Sequence, residues 1–369
     1  MTTAFRVPPE LSATAPPEAR GIARDGVRLL VARDSCGPDR ADVWHARFTD
    51  LPVALRRGDL LVVNTSMTEP AAVDGGRGDG RRVVLHVSGP VPTGAADSDT
   101  MVVELRTPDG RRVTDAAAGE VVTLPRGVRA TLLAGHPDPW QSAGSRLWIA
   151  RIPTPTGLTG WLAATGRPIR YSYVPRRWPL ADYQTVFATR TDPFGSAEMP
   201  SAARPFSPVV LAGLRARGVA VAEVELHTGV SSLEAGEHPL PERYRVPAAT
   251  AAAVNATRAA GRRVVAVGTT AARAIETVAA PNGLVRAGSG WTELVLGPAR
   301  ATRVVNGLIT GWHEPEASHL LLLAAVAGPA LVRTAYAAAL GAGYLWHEFG
   351  DSCLLLPDRA RQGSEDCCP

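Results

Sequence analysis

Apolar residues in the first sixty positions gather into two short runs. Residues 27–32 have the length of a strand, and 59–64 (DLLVVN) read as a second strand buried on both faces. From about residue 73 to 153 the rhythm shortens. β-rich runs occur at 82–87, 101–106, 121–124, 128–133 and 146–152, separated by turn clusters at 75–80, 89–98, 108–110 and 135–139. Five short strands without a helical stretch predict a small antiparallel barrel, with Asp109-Gly110 as its best hairpin signal.

After Thr165 the pattern alternates. Helices are predicted over 208–218, 248–260, 271–278, 318–327 and 330–341, and strands over 219–226, 263–267, 293–296 and 303–308. The polar tail beyond Pro357 reads as frayed. The fold class expected is an α/β core with an inserted antiparallel β-barrel. Residues 1–72 and 154–369 would form a discontinuous core domain, with 73–153 as the insertion.

A chain of 369 residues suits two domains, or one domain with a large insertion. No run approaches the roughly 18 apolar residues of a membrane span, and the first twenty residues lack the pattern of a signal peptide. Cys36, Cys353, Cys367 and Cys368 match neither a disulfide framework nor a metal-ligand spacing. A cytoplasmic protein without a metal or a membrane partner is therefore expected, and a monomer. All 39 basic residues are arginine, which removes Schiff-base, phosphate-loop and general-base lysines together. The net charge of +4 is too mild to indicate nucleic-acid binding by itself.

Candidate chemistry concentrates in three places. Residues 264–276 (VVAVGTTAARAIE) run a buried strand into a hydroxyl-rich loop that opens a helix. Free backbone N–H groups and the helix dipole there suit a carboxylate or phosphate. Gly268, Thr269 and Thr270 would donate, and Arg273 would clamp an anion; an ordinary helix start with an exposed arginine is the alternative. His227 ends a predicted strand, where ligands of open α/β sheets bind, and His313 follows another; either serves as a general base or as a buried structural histidine. Gly75–Gly80 reads as a surface turn rather than a dinucleotide loop, since no helix follows it. Trp291, Trp312 and Trp346 read as core or pocket wall.

In these residues the chain resembles the S-adenosylmethionine:tRNA ribosyltransferase-isomerases of queuosine biosynthesis (the QueA family). The blocks are Arg24-Asp25-x-x-Arg28-Leu29-Leu30, Gly58-Asp59-Leu60-Leu61-Val62-Val63-Asn64, Asp182-Tyr183-Gln184-Thr185-Val186-Phe187 and Leu226-His227-x-Gly229. They continue with Val267-Gly268-Thr269-Thr270-x-x-Arg273-x-x-Glu276, Thr310-x-x-His313-x-Pro315-Glu316-x-Ser318 and Gly350-Asp351. The resemblance implies the same fold class. It also implies S-adenosylmethionine as a ribosyl donor and co-substrate, with tRNA carrying a 7-aminomethyl-7-deazaguanine as acceptor. The amine receives a rearranged ribose while adenine and methionine leave. It further implies substrate-binding roles for Asn64, Tyr183, Gly268, Thr269, Thr270, Arg273 and Asp351.

The chain departs from the family pattern in places. Met67 and Ala72 stand where the family has arginines, Pro205 stands where it has a histidine, and of a two-histidine segment only His238 is clearly retained. Proline cannot do acid–base work, so the catalytic set expected is His227, His313 and the new carboxylate Glu198. Two other readings share these residues: a relative that uses S-adenosylmethionine with a small-molecule acceptor or simply cleaves it, and a non-catalytic binding protein.

Overall fold

The computed structural model describes residues 5–35, 41–92, 99–191, 193–230, 240–315 and 319–358. His238, Glu316, Ser318, Cys36, Cys367, Cys368 and the polar tail lie outside the described residues.

Strand β1 (Arg28–Asp34) is followed by β2 (Ala41–Arg47), a one-turn helix α1 (Leu51–Ala54) and β3 (Leu60–Asn64). Six barrel strands come next: β4 (Ala72–Gly76), β5 (Arg82–Pro90), β6 (Thr100–Arg106), β7 (Val121–Thr123), β8 (Arg129–His136) and β9 (Leu147–Arg151). The chain then returns through α2 (Leu158–Thr165), α3 (Pro208–Ala216), β10 (Ala220–His227), β11 (Glu242–Val246), α4 (Ala248–Ala259), β12 (Val264–Val267) and α5 (Gly268–Thr277). It finishes with β13 (Gly288–Thr292), β14 (Gly307–Thr310), α6 (His319–Ala327), α7 (Pro329–Gly341) and β15 (Ser352–Leu356).

The core sheet has the order β13-β11-β10-β3-β12-β14-β15-β1-β2. Its centre is parallel, β10 beside β3 beside β12 beside β14, and β3 and β12 have every residue buried. Strands covered on both faces must be continuously apolar, as VVAV and LLVVN are. One face packs on α4, α5, α6 and α7 through Val254, Ile275, Leu323 and Tyr336. The other packs on α1 and α3 through Leu51, Val210 and Leu214.

The inserted strands close in the order β4-β5-β6-β9-β8-β7 around Leu85, Val103, Leu132 and Trp148. The fold is thus the α/β core with an antiparallel barrel that the strand and turn spacing predicts. Six strands close the barrel rather than five. The extra one, β4, contains two glycines read from the sequence as part of a turn. A Cβ at Gly75 would lie 2.8 Å from Leu124 Cδ2 and 2.9 Å from Val122 Cγ1, so glycine is what lets β7 approach and close the ring. The Asp109-Gly110 turn does reverse the chain, with Gly110 at φ 90° and the Thr107 amide donating to Arg111 O at 2.8 Å. The return is a single bridge between Arg106 and Arg112 rather than a strand.

Two core strands are displaced from the expected positions. The strand expected at 293–296 is β13, which ends at Thr292. The strand expected at 303–308 begins only at Gly307. Its first residues are held elsewhere: the amides of Arg303, Val304 and Val305 all donate to the buried Glu276 carboxylate, at 2.8, 2.8 and 2.9 Å.

Candidate active site

Because β3, β10, β12 and β14 run parallel, their C-terminal ends share one edge of the sheet, where open α/β sheets bind ligands. A cavity of about 830 Å³ opens at that edge. Its far wall comes from the barrel, through Ser88, Pro90, Val102 and His136.

The β12–α5 junction forms one side. Gly268 takes φ 88°, a left-handed conformation that favours glycine, and turns the chain directly into the helix. No side chain caps α5, so its first-turn N–H groups lack an intrahelical partner at the cavity wall. Gly268, Thr269, Thr270 and Arg273 all line the cavity.

Arg273 is not the free anion clamp expected from the motif. Its guanidinium is ion-paired with Glu242 and donates to Leu294 O at 3.0 Å and Thr292 O at 3.4 Å. Burial pushes Glu242 above the usual carboxylate range, with the Arg273 charge opposing that shift. The pair therefore braces the wall by tying α5 to β11 and the segment after β13.

The expected catalytic residues converge on the cavity. His227, at the last position of β10, has its Nδ1 3.0 Å from Ser66 Oγ and its Nε2 3.8 Å from Glu225. Ser66 Oγ is in turn 2.7 Å from Ser196 Oγ, which accepts the Thr228 amide at 3.0 Å. His313 has Nε2 3.0 Å from Thr310 Oγ1 and stacks on His319, centroids 4.5 Å apart and 2° from parallel. Burial drives the His313 imidazole well below its ordinary value, helped by the neighbouring histidines. It is held neutral, which suits hydrogen-bond donation better than strong basicity. Glu198 enters from the loop before α3, and its backbone carbonyl accepts Thr228 Oγ1 at 2.9 Å.

Asn64, Tyr183 and Asp351 do not line the cavity; each works behind it. Asn64 is fully buried, donating to Leu226 O at 2.8 Å and Thr270 Oγ1 at 3.2 Å while accepting the Ser66 and Leu226 amides. It stitches the ends of β3 and β10 to the α5 turn. Tyr183 packs edge-on against Phe349. Asp351 accepts the amides of Arg28 and Leu345, both at 2.8 Å, and so folds the loop 345–351 back on itself. A Cβ at Gly350 would lie 2.4 Å from Leu345 O, which explains the glycine before that aspartate.

The folded loop presents residues to which no sequence motif points. His347 and Glu348 line the cavity, as do Tyr171, Tyr173 and His319. Tyr171, Tyr173 and His347 form a continuous stack, with centroids 5.4 and 3.9 Å apart. His347 has φ 74°, rare for a residue with a side chain. Burial lowers its imidazole to about 4. Burial, with the Glu198 charge nearby, raises Glu348 to about 8. The aromatic doublet Tyr171-Ser172-Tyr173 and the polar pair before Gly350 are visible in the sequence, but neither has a spacing that names a chemistry.

Each of two departures from the family pattern has an arginine beside it. Arg190 donates to Met67 Sδ at 3.4 Å and bonds Glu69. Arg167 exchanges backbone hydrogen bonds with Ala72 at 2.9 and 3.0 Å and pairs with Asp74 at 2.6 Å. Arg204, next to Pro205, is buried against Glu18 at 2.9 Å and Asp182 O at 2.9 Å.

Among the described residues no single helix is long and apolar enough to cross a membrane, and no cluster of three or more His, Cys, Asp or Glu residues could hold a metal ion. Residues 2–355 match a family model described as "Queuosine biosynthesis protein". The S-adenosylmethionine:tRNA ribosyltransferase-isomerase of Moorella thermoacetica is 34% identical, over 95% of this chain and 98% of its own. That of Acidiphilium cryptum is 35% identical, over 95% and 97%. The crystal structure of the S-adenosylmethionine tRNA ribosyltransferase from Thermotoga maritima superposes with a TM-score of 0.52 at 25% identity, covering 96% of this chain and 100% of that one.

Proposed function

We infer the activity from one premise: the chain belongs to the queuosine biosynthesis protein family. It is an S-adenosylmethionine:tRNA ribosyltransferase-isomerase, transferring the ribosyl part of S-adenosylmethionine to the amine of a 7-aminomethyl-7-deazaguanine in tRNA and releasing adenine and methionine. The observation that carries this reading is the near-complete match to enzymes of that name. The cavity adds fit, being large enough for a nucleoside with an amino-acid tail and combining uncapped helix donors with half-buried carboxylates at the usual ligand edge.

S-adenosylmethionine supplies an activated ribose, because its sulfonium acidifies the adjacent C5′ hydrogens. The protein's part is to hold and to move protons. The first-turn amides of α5 with Thr269 and Thr270 suit the substrate's carboxylate or ribose hydroxyls. His227, oriented by Ser66, suits the C5′ proton. His313, kept neutral by burial, suits a hydrogen bond to a developing negative charge. The reaction uses a soluble tRNA, so the cytoplasm is the natural compartment. No step requires a metal, and we take the working unit to be a monomer.

The test is to incubate the protein with S-adenosylmethionine, with and without tRNA bearing the aminomethyl base. Adenine and methionine released only with that tRNA support the reading. Release without tRNA points to another acceptor or to simple cleavage, and no release in either case defeats it.

A further inference from the structure

The cavity contains a feature that the reaction as described leaves unused. Glu348 sits at its wall with one carboxylate oxygen, Oε1, buried and without a hydrogen-bond partner. A buried acceptor left unmet is destabilising and uncommon in native proteins. Here the chain goes to some length to keep it: the loop is clasped by Asp351, Gly350 makes room for the turn, and His347 adopts a left-handed conformation one residue earlier. Strained backbone next to an unsatisfied polar group is the pattern of a built site.

The neighbours of Glu348 define what would satisfy it. Glu198 lines the same cavity, and its charge acts on Glu348 directly. Tyr171, hydrogen-bonded to Glu198, and Tyr173 begin the ring stack that His347 completes. The cation whose charge acts on Glu348 is Arg204, which does not line this cavity; it lines a small second pocket with Glu348 and is ion-paired with Glu18 through one nitrogen. Two carboxyl groups attract a compact cation and repel phosphate, and the ring stack beside them walls the seat off from water.

We propose that Glu348, together with Glu198, forms the seat for a substrate's primary ammonium group, with the Tyr171–Tyr173–His347 stack as its wall. This rests on the reading that the cavity takes an amine-bearing substrate. It deepens that reading by naming the residue that recognises the amine. Both substrates carry such a group, the acceptor on its aminomethyl arm and the donor on its methionine tail. With the seat empty, burial and the neighbouring Glu198 charge keep a proton on Glu348; the arriving ammonium displaces that proton to solvent and leaves an ion pair. The same carboxylate is placed to take a proton back when the amine must become a nucleophile.

Calorimetry on the full-length protein tests the seat without requiring turnover. The probes are the free 7-aminomethyl-7-deazaguanine base, its 7-methyl analogue lacking the amine, S-adenosylmethionine, and the deaminated form of the latter. In Glu348→Gln and in Glu198→Gln, affinity for one amine-bearing probe should fall about tenfold or more, the effect of losing a charge-assisted hydrogen bond. Its amine-free counterpart should bind as it does to the unaltered protein. A loss confined to the deazaguanine base assigns the seat to the acceptor; a loss confined to S-adenosylmethionine assigns it to the donor. The melting temperature of Glu348→Gln should hold, because the empty seat already carries a protonated, neutral carboxyl of the same shape. Both variants binding all four probes like the unaltered protein would overturn the proposal. So would an unaltered protein that fails to distinguish amine-bearing from amine-free probes. If the discrimination is present but adenine is never released, the activity reading fails and the ammonium seat stands.

Discussion

Replacing Arg273 with alanine separates a residue that holds the ligand from one that holds the wall. Arg273 is ion-paired with Glu242 and bonds two backbone carbonyls, and the side chains of the pair are only 11% and 12% exposed. Removing one partner of a buried pair strands the other charge and costs about 3–5 kcal/mol. The orphaned carbonyls of Leu294 and Thr292 belong to the same penalty. Arg273→Ala should therefore lower unfolding stability by about 3–5 kcal/mol, read by urea denaturation with tryptophan fluorescence. Replacing the pair together, as Arg273→Met with Glu242→Leu, should restore most of the loss, since apolar groups of similar size can substitute for a buried pair.

The pH dependence of that loss has a definite sign. Burial raises Glu242 above its ordinary 4.5, so the folded state holds this proton more tightly than the unfolded one. Stability from such a group is fully present below the unfolded value and is lost as pH rises through the folded value. Without Arg273 the folded value climbs further, so the deficit relative to the unaltered protein is smallest in acid and largest at neutral pH. A deficit under about 1 kcal/mol, the worth of an exposed pair, would refute this bracing role. A deficit that grows on acidification would do the same.

Three further outcomes follow from the geometry. Glu276→Ala strands the amides of Arg303, Val304 and Val305, so denaturation should show a loss of about 3 kcal/mol or more, at roughly 1–3 per unmet buried group. Gly350→Ala forces a Cβ to 2.4 Å from Leu345 O and 2.7 Å from Trp346 C; it should cost about 1–3 kcal/mol and increase protease sensitivity between residues 345 and 351. Ser66→Ala removes the group 3.0 Å from His227 Nδ1. Steady-state kinetics should then show kcat falling about tenfold or more with KM little changed, the signature of lost orientation; an equal rise in KM would instead make Ser66 part of substrate binding.

Continuous apolar runs were the most legible part of the chain. VVAV and LLVVN announced strands covered on both faces, and both lie at the centre of the sheet. Edge strands were silent for the opposite reason. β2, at one edge, and β11, paired with the other edge strand β13, carry charged and polar residues that are only partly covered, so neither shows a period strong enough to read. The cavity wall was legible where the backbone itself forms it, as at Gly268–Thr270, whereas the sequence did not show which polar side chains are engaged by a distant part of the chain. Asn64, Asp351 and Arg273 looked like ligand contacts because they are polar and sit in motifs. Their partners, Leu226, Arg28 and Glu242, are separated from them in sequence and become neighbours only in the fold. Glu348 was missed for the converse reason: nothing in sequence distinguishes a carboxylate that folding leaves without a partner.

The charges around the cavity bear on how the chain departs from its family. The arginines missing at positions 67 and 72 do not leave neutral ground, because Arg190 adjoins Met67 and Arg167 adjoins Ala72. Each of those arginines is matched by an acid, Glu69 or Asp74. Inside the cavity the change runs the other way. Glu198 brings a carboxylate into a segment whose family histidine is replaced by Pro205, and that carboxylate lines the same cavity as Glu348, whose Oε1 has no hydrogen-bond partner. An anionic interior favours a substrate that presents an amine inward and keeps phosphate outside the cavity. An aminomethyl base carried on a polynucleotide has that arrangement; a small diffusible amine uses only the inner half. Arg167 and Arg190, which do not line the cavity, therefore provide the discriminating perturbation. Converting Arg167 and Arg190 to glutamine should weaken tRNA binding and flatten its salt dependence, in proportion to the phosphates that the two guanidinium groups neutralise, while leaving binding of the free aminomethyl base unchanged. Equal binding of tRNA before and after the change would place the polyanion on another face of the molecule.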